Sequence, residues 1–209
     1  MKTTVKNNMA KLAFTLVEMI GVLAVIAILA GMLIPKIFEA IRNSRINAAI
    51  ETYNTLKTAV AEHYAKWGKF AYAFTEGTIT APDIAYTGKS FDSILLREGR
   101  IDGKAEDKIA LSPGAGNAYV EVLIGKGGYG STPTGYDLDG DGSADTKSTS
   151  IVVQLVIKNV AGREAYELSS RLDGPALSTS DTTADNKGRV EYDAPDSGVT
   201  DVYMYITHL

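Results

Sequence analysis

The residues best equipped for chemistry are the aspartates packed into Asp137-Leu138-Asp139-Gly140-Asp141-Gly142-Ser143-Ala144-Asp145. Counted from Asp137, side-chain oxygens stand at loop positions 1, 3, 5 and 9, with Ser143 among them and glycine at position 6, where a cation loop needs its sharp turn. Carboxylate oxygens at that spacing suit a hard cation, so the chemistry on offer is calcium binding by Asp137, Asp139, Asp141, Ser143 and Asp145. Ser148 occupies position 12 in place of the usual glutamate. The shell would therefore need a distant carboxylate, backbone carbonyls or water. The competing reading is an acidic, solvated turn. The chain has no cysteine, which removes disulfides and thiolate metal sites and gives a metal clip a stabilising role.

A second candidate is Glu18, a lone carboxylate inside an apolar stretch that begins at Phe14. An ionised group there costs a few kcal/mol by insertion scales and usually faces a protein partner or a polar path. The plainer alternative is a residue that reaches the headgroups and favours the positive end of a helix. Enzyme chemistry has less to work with. There are 2 histidines, His63 and His208, and neither has an acid-and-nucleophile pattern nearby. His63 reads as a helix-surface or interface residue. Gly125-Lys126-Gly127-Gly128 lacks the spacing of a phosphate loop and reads as a turn.

These residues must be held by a segregated chain. Residues 1–13 carry Lys2, Lys6 and Lys11 with no acid and form a basic leader. Residues 14–35 are apolar, uncharged from Met19 to Ile34, and long enough to span a bilayer with the lysine-bearing end in the cytoplasm. Gly21, Gly31 and nearby alanines would let neighbouring helices approach closely. Pro35 predicts a kink or local melting. Residues 36–67 continue as an amphipathic helix, with Ile46, Ala49, Tyr53, Leu56, Val60, Tyr64 and Trp67 on one face and Gly68 as its stop. A continuous helix from Phe14 to Trp67 would be about 80 Å long, so its first half must pack on something other than its own domain.

Residues 68–209 read as a β-rich head. After a connector with a short helix at Phe91–Arg97, strands are expected at Tyr119–Ile124, Ile151–Lys158, Arg189–Tyr192 and Val202–Thr207. A short helix is expected at Arg163–Leu172, closed by Asp173-Gly174-Pro175. The fold class is α+β, a long N-terminal helix against a small antiparallel sheet. A net charge of −4 offers no basic face for a phosphate backbone, which excludes nucleic acid as the main partner.

The run Ala13-Phe14-Thr15-Leu16-Val17-Glu18 resembles the processing site of the type IV pilin and pseudopilin family. The resemblance covers roughly residues 8–67 and implies a pilin-like fold. It implies that a prepilin peptidase and methylase cuts between Ala13 and Phe14 and methylates the new amine of Phe14. Glu18 would be the family's fifth mature residue, and Pro35 falls where the family bends or melts its helix. Ala13 departs from the glycine that usually precedes the cut. The implied product is a structural subunit, not an enzyme. It would wait in the inner membrane, meet an assembly platform and join identical and related subunits in a periplasmic or extracellular filament. That filament would be a pilus serving adhesion, motility, DNA uptake or secretion, or the pseudopilus of a type II secretion system. A membrane-anchored calcium-binding module that never polymerises is the further alternative.

Overall fold

The computed structural model describes residues 15–70, 73–75, 78–80, 91–111, 118–129 and 135–209. The first element, α1, is the helix Leu16–Trp67, followed by a two-stranded hairpin of β1 (Ala73–Thr75) and β2 (Thr78–Thr80). Then come the short helices α2 (Phe91–Arg97) and α3 (Ala105–Lys108), strands β3 (Ala118–Ile124) and β4 (Ile151–Ala161), and helix α4 (Gly162–Leu172). Strands β5 (Val190–Tyr192) and β6 (Val199–His208) complete the order. The chain divides into two compact units, Met1–Ile41 and Arg42–Leu209.

In the first unit, residues 16–41 are helical and exposed, with an apolar surface that includes Leu23, Ile28 and Phe38. By length and composition α1 is able to cross a membrane. The helix passes through Pro35 without a break, so the expected local melting is not observed. A proline ring presses on the carbonyl four residues back, here that of Gly31, whose backbone has the most latitude to tilt.

In the second unit, α1 buries Ile46, Ala49, Tyr53, Leu56, Ala59, Val60 and His63, the three-and-four spacing of a single helix face. It ends where Gly68 turns to φ 69° and donates its N–H to Tyr64 O at 2.7 Å, the left-handed cap that glycine favours. The sheet runs β3-β4-β6-β5, antiparallel throughout. Its inner face supplies Val120 and Val122, Val153, Leu155 and Ile157, Val202, Met204 and Ile206, and Val190 and Tyr192. These pack with the α1 face, with Phe91, Ile94 and Leu95 of α2 and with Ala165 and Leu168 of α4 in one core. Each large side chain withdrawn from water there contributes about 1.5–3 kcal/mol. Tyr53 fixes the helix to the sheet by donating its hydroxyl to the carbonyl of Tyr205 on β6.

The outer face is covered as well, which is why β4 is buried from Val152 through Ile157 instead of alternating. The segment between β3 and β4 crosses it. Gly128 N–H and the Tyr136 hydroxyl both donate to Gln154 Oε1 at 3.0 Å, and the Gln154 amide donates to Glu121 at 2.7 Å.

The α+β class is as expected, and the expected strands and short helices are present. Strands β4 and β6 run longer than the sequence reading had them, past the irregular register near Asn159, whose φ is 55°. The hairpin β1–β2 and α3 fall in the stretch read as a connector.

Candidate functional site

Ala13 and Phe14, the residues of the expected cleavage and methylation, lie outside the described residues. Glu18 is described, in the first turn of α1. Its Oε2 accepts both the Thr15 N–H and the Thr15 hydroxyl at 2.8 Å, while the Glu18 N–H donates to Thr15 Oγ1 at 3.3 Å. This is a reciprocal capping box, which satisfies amide donors that a helix start otherwise leaves open. The signature T-x-x-E was present in the sequence. Glu18 thus serves its own helix start while its apolar neighbours stay exposed.

The acidic loop is a built turn. Asp137 Oδ1 and Oδ2 accept the amides of Gly140 and Gly142 at 2.9 and 3.0 Å. Asp139 takes the Asp141 amide at 3.1 Å, Asp141 takes that of Ser143 at 2.7 Å, and Asp145 Oδ2 takes that of Leu138 at 2.8 Å. Gly142, at the sixth loop position, adopts φ 91°, a conformation that disfavours any side chain. The fold of the loop brings one carboxylate oxygen each of Asp137, Asp139 and Asp145 within 4.8 Å of one another. Asp141 stands outside that group, and Ser143 is exposed. Asp137 is buried while Asp139 and Asp145 are open to solvent, so the group has an anchored side and an accessible side. Two links tie the loop to its surroundings: Gly188 N–H donates to Asp137 O at 2.7 Å and Asp145 N–H to Tyr136 O at 2.7 Å.

His63 corrects the sequence reading. It is wholly buried, not a surface residue, because Val60 and Trp67 share its helix face and α2 with its following turn closes over it. His63 Nδ1 lies 2.9 Å from Glu98 Oε2, Trp67 Nε1 donates to Glu98 Oε1 at 2.9 Å, and Arg100 Nε donates to Glu98 Oε2 at 2.7 Å. Burial holds the His63 imidazole below its usual range against the pull of Glu98. The partners are far apart in sequence, so spacing alone could not have paired them. His208 meets the Tyr205 hydroxyl at 2.6 Å, across three residues of β6.

Glu191 on β5 was also missed, as one acid in a short β-rich run. It is fully buried, with no hydrogen bond of good geometry to either oxygen, and burial pushes its titration up to about 8.

No protein-family model matches the chain, and no solved structure matches it. Two relatives do, both named type IV major pilin protein PilE1, from Neisseria gonorrhoeae. Each is 27% identical over 92 residues, 44% of this chain and 56% or 51% of the relative. The chain spans about half the length of the curated relatives it matches. Over less than half of its own length, then, it is similar to type IV major pilins.

Proposed function

We propose that the protein is a structural subunit of a pilus-like filament assembled outside the cytoplasm, and that it has no enzymatic role. The observation that carries this reading is the first unit itself. It is an exposed apolar helix with a single carboxylate near its start, joined in sequence to an α+β head. An apolar surface of that extent needs lipid or other helices around it. The similarity to type IV major pilins supports packing against copies of the same helix.

In this reading the peptidase removes residues 1–13, Phe14 becomes a methylated amino terminus, and the subunit waits in the inner membrane until an assembly platform extracts it. Glu18 then pairs with the Phe14 ammonium of a neighbour. Within a bundle of low dielectric either charge alone is costly, so the pair sets the register of entry. In the head, residues 68–209, Asp137, Asp139 and Asp145 hold calcium as a clip, with Asp141 and Ser143 on the same turn. An acidic loop in a cysteine-free head also supports a second reading, the pseudopilus of a type II secretion system.

The test is made on membranes and sheared filaments. Intact mass and the N-terminal peptide should identify a chain beginning at methylated Phe14, and Glu18→Ala should leave membrane insertion unchanged while filament yield collapses. An uncut leader in assembled protein, or normal filaments from Glu18→Ala at normal expression, overturns it.

A further inference from the structure

On the outer face of the sheet, among the described residues, Glu191 is a buried carboxylate with neither oxygen in a hydrogen bond of good geometry. Gln154 takes Gly128 and Tyr136 on its oxygen and gives its amide to Glu121. Glu191, opposite Tyr203 in the β5–β6 register, lies on the same face with 0% exposure. Gly128 passes directly over it: a Cβ at that position would lie 2.2 Å from Glu191 Oε2, and φ there is 90°. The charged groups facing the carboxylate are Asp185 before β5, Asp137 on the acidic loop and Asp173 at the end of α4, all acids. The phenols of Tyr129 and Tyr136 also feel its charge. Arg189, two residues earlier, is drawn toward Asp173, and the oxygens of Asp137 are already held by the Gly140 and Gly142 amides. The Tyr129 amide opposes burial, easing a negative charge more than any one of the three acids disfavours it.

An ionised carboxylate in such a place is far costlier than the neutral acid, because the Tyr129 amide alone does not replace the water it has lost. We propose that Glu191 is a proton-controlled latch for the segment that crosses the sheet: as the neutral acid it lets Gly125–Tyr129 lie closed over β4 and β5, and when it gives its proton to solvent base that segment lifts so that water can reach the carboxylate. Burial, only partly offset by the Tyr129 amide and added to by the three acids, places the closed-state titration at about 8, against 4.5 for an exposed glutamate. The sign follows. A carboxyl whose closed-state value is raised favours closure fully at low pH, and that preference is lost as pH rises from about 4.5 to about 8. One proton separates the states, so the closed-to-open ratio falls about tenfold per pH unit across the window and then levels off.

The experiment is amide hydrogen exchange on the full chain in detergent, with chelator throughout and rates corrected for the intrinsic effect of pH. Protection of Gly125–Tyr129 should fall about fiftyfold between pH 6 and 8, while the centre of β4 is unchanged. In E191Q, a close neutral mimic of the acid, protection should be flat over the same range. E191M replaces it if E191Q does not fold. A flat wild-type profile sinks the proposal without any variant, and an equal fall in a folded neutral variant assigns the effect to another group and also overturns it.

Discussion

Glu98, with its side chain 1% exposed, is the single acceptor at which His63, Trp67 and Arg100 converge, and His63 Nδ1 reaches it at 2.9 Å. One carboxylate therefore fastens the end of α1 to the turn after α2. Glu98→Gln should lower unfolding stability by about 1–3 kcal/mol, the cost of leaving buried groups without partners. Glu98→Ala should cost more, about 3–5 kcal/mol. The outlying pair of Arg100 with Glu62, which is 57% exposed, should matter little, and Glu62→Ala should change stability by less than about 1 kcal/mol. Thermal and denaturant unfolding of the three variants checks the order.

The same cluster predicts sensitivity to acid. Burial depresses the titration of His63, so the unfolded chain takes up that proton first and stability falls as pH drops below about 6.5. Burial alone would raise Glu98, but the hydrogen bonds from Arg100, His63 and Trp67 outweigh it and hold it low. Its contribution is present above the usual glutamate value and is lost as pH falls through its depressed one. Both shifts act in one direction. Burial of Glu191 acts the other way over the same range, so the cluster is read by difference: the melting temperature of the wild type relative to His63→Phe should decline from pH 7 to pH 5.

Gly162 opens α4 with an ordinary backbone, where alanine would normally favour the helix by about 1 kcal/mol. Here a Cβ would lie 2.4 Å from the Asp181 carbonyl and 2.7 Å from the Pro195 ring, neither of which is a flexible chain end. Overpacking of that kind costs about 1–3 kcal/mol, so the contact outweighs the propensity. Gly162→Ala should lower the melting temperature.

Calcium at the acidic loop should raise the melting temperature of the full chain in detergent, and chelator should reverse the rise. At a hundredfold excess over Kd, binding to the folded form alone adds about 2.7 kcal/mol. Asp137→Ala and Asp145→Ala should remove the response, since both belong to the convergent group. Asp141→Ala, outside it, should keep most of the response. Equal melting in calcium and chelator would leave the loop a solvated turn.

Much of the fold was legible because local signals agree with it. The spacing of Ile46, Ala49, Tyr53, Leu56 and Val60 is that of a buried helix face, and Gly68 marks its end. Phe91–Arg97 is the helix of the sequence reading. The pairing order was not legible, since placing β6 between β4 and β5 depends on contacts far apart in sequence. The hairpin strands Ala73–Thr75 and Thr78–Thr80 are too short for alternation to register. In the acidic loop, spacing named the aspartates and only the backbone could say which converge. His63 and Glu191 were misjudged or missed for one reason: a polar residue reads as exposed until the element that covers it is known, and those covers come from 35 residues away, at Glu98, for His63 and from the β3–β4 segment for Glu191.

The position of β6 has a consequence for how the head comes into being. Among the described residues β6 is the one strand paired with β5, beside a single bridge from Tyr192 to Asp185, and one side of β4 stays bare until β6 arrives. A chain emerging amino-terminus first therefore cannot close its sheet until Val199–His208 has left the ribosome. Such late, long-range strand pairing is slow. Up to that moment β4 and β5 have no strand to join them, and the inner face that Val202, Met204 and Ile206 complete stays open.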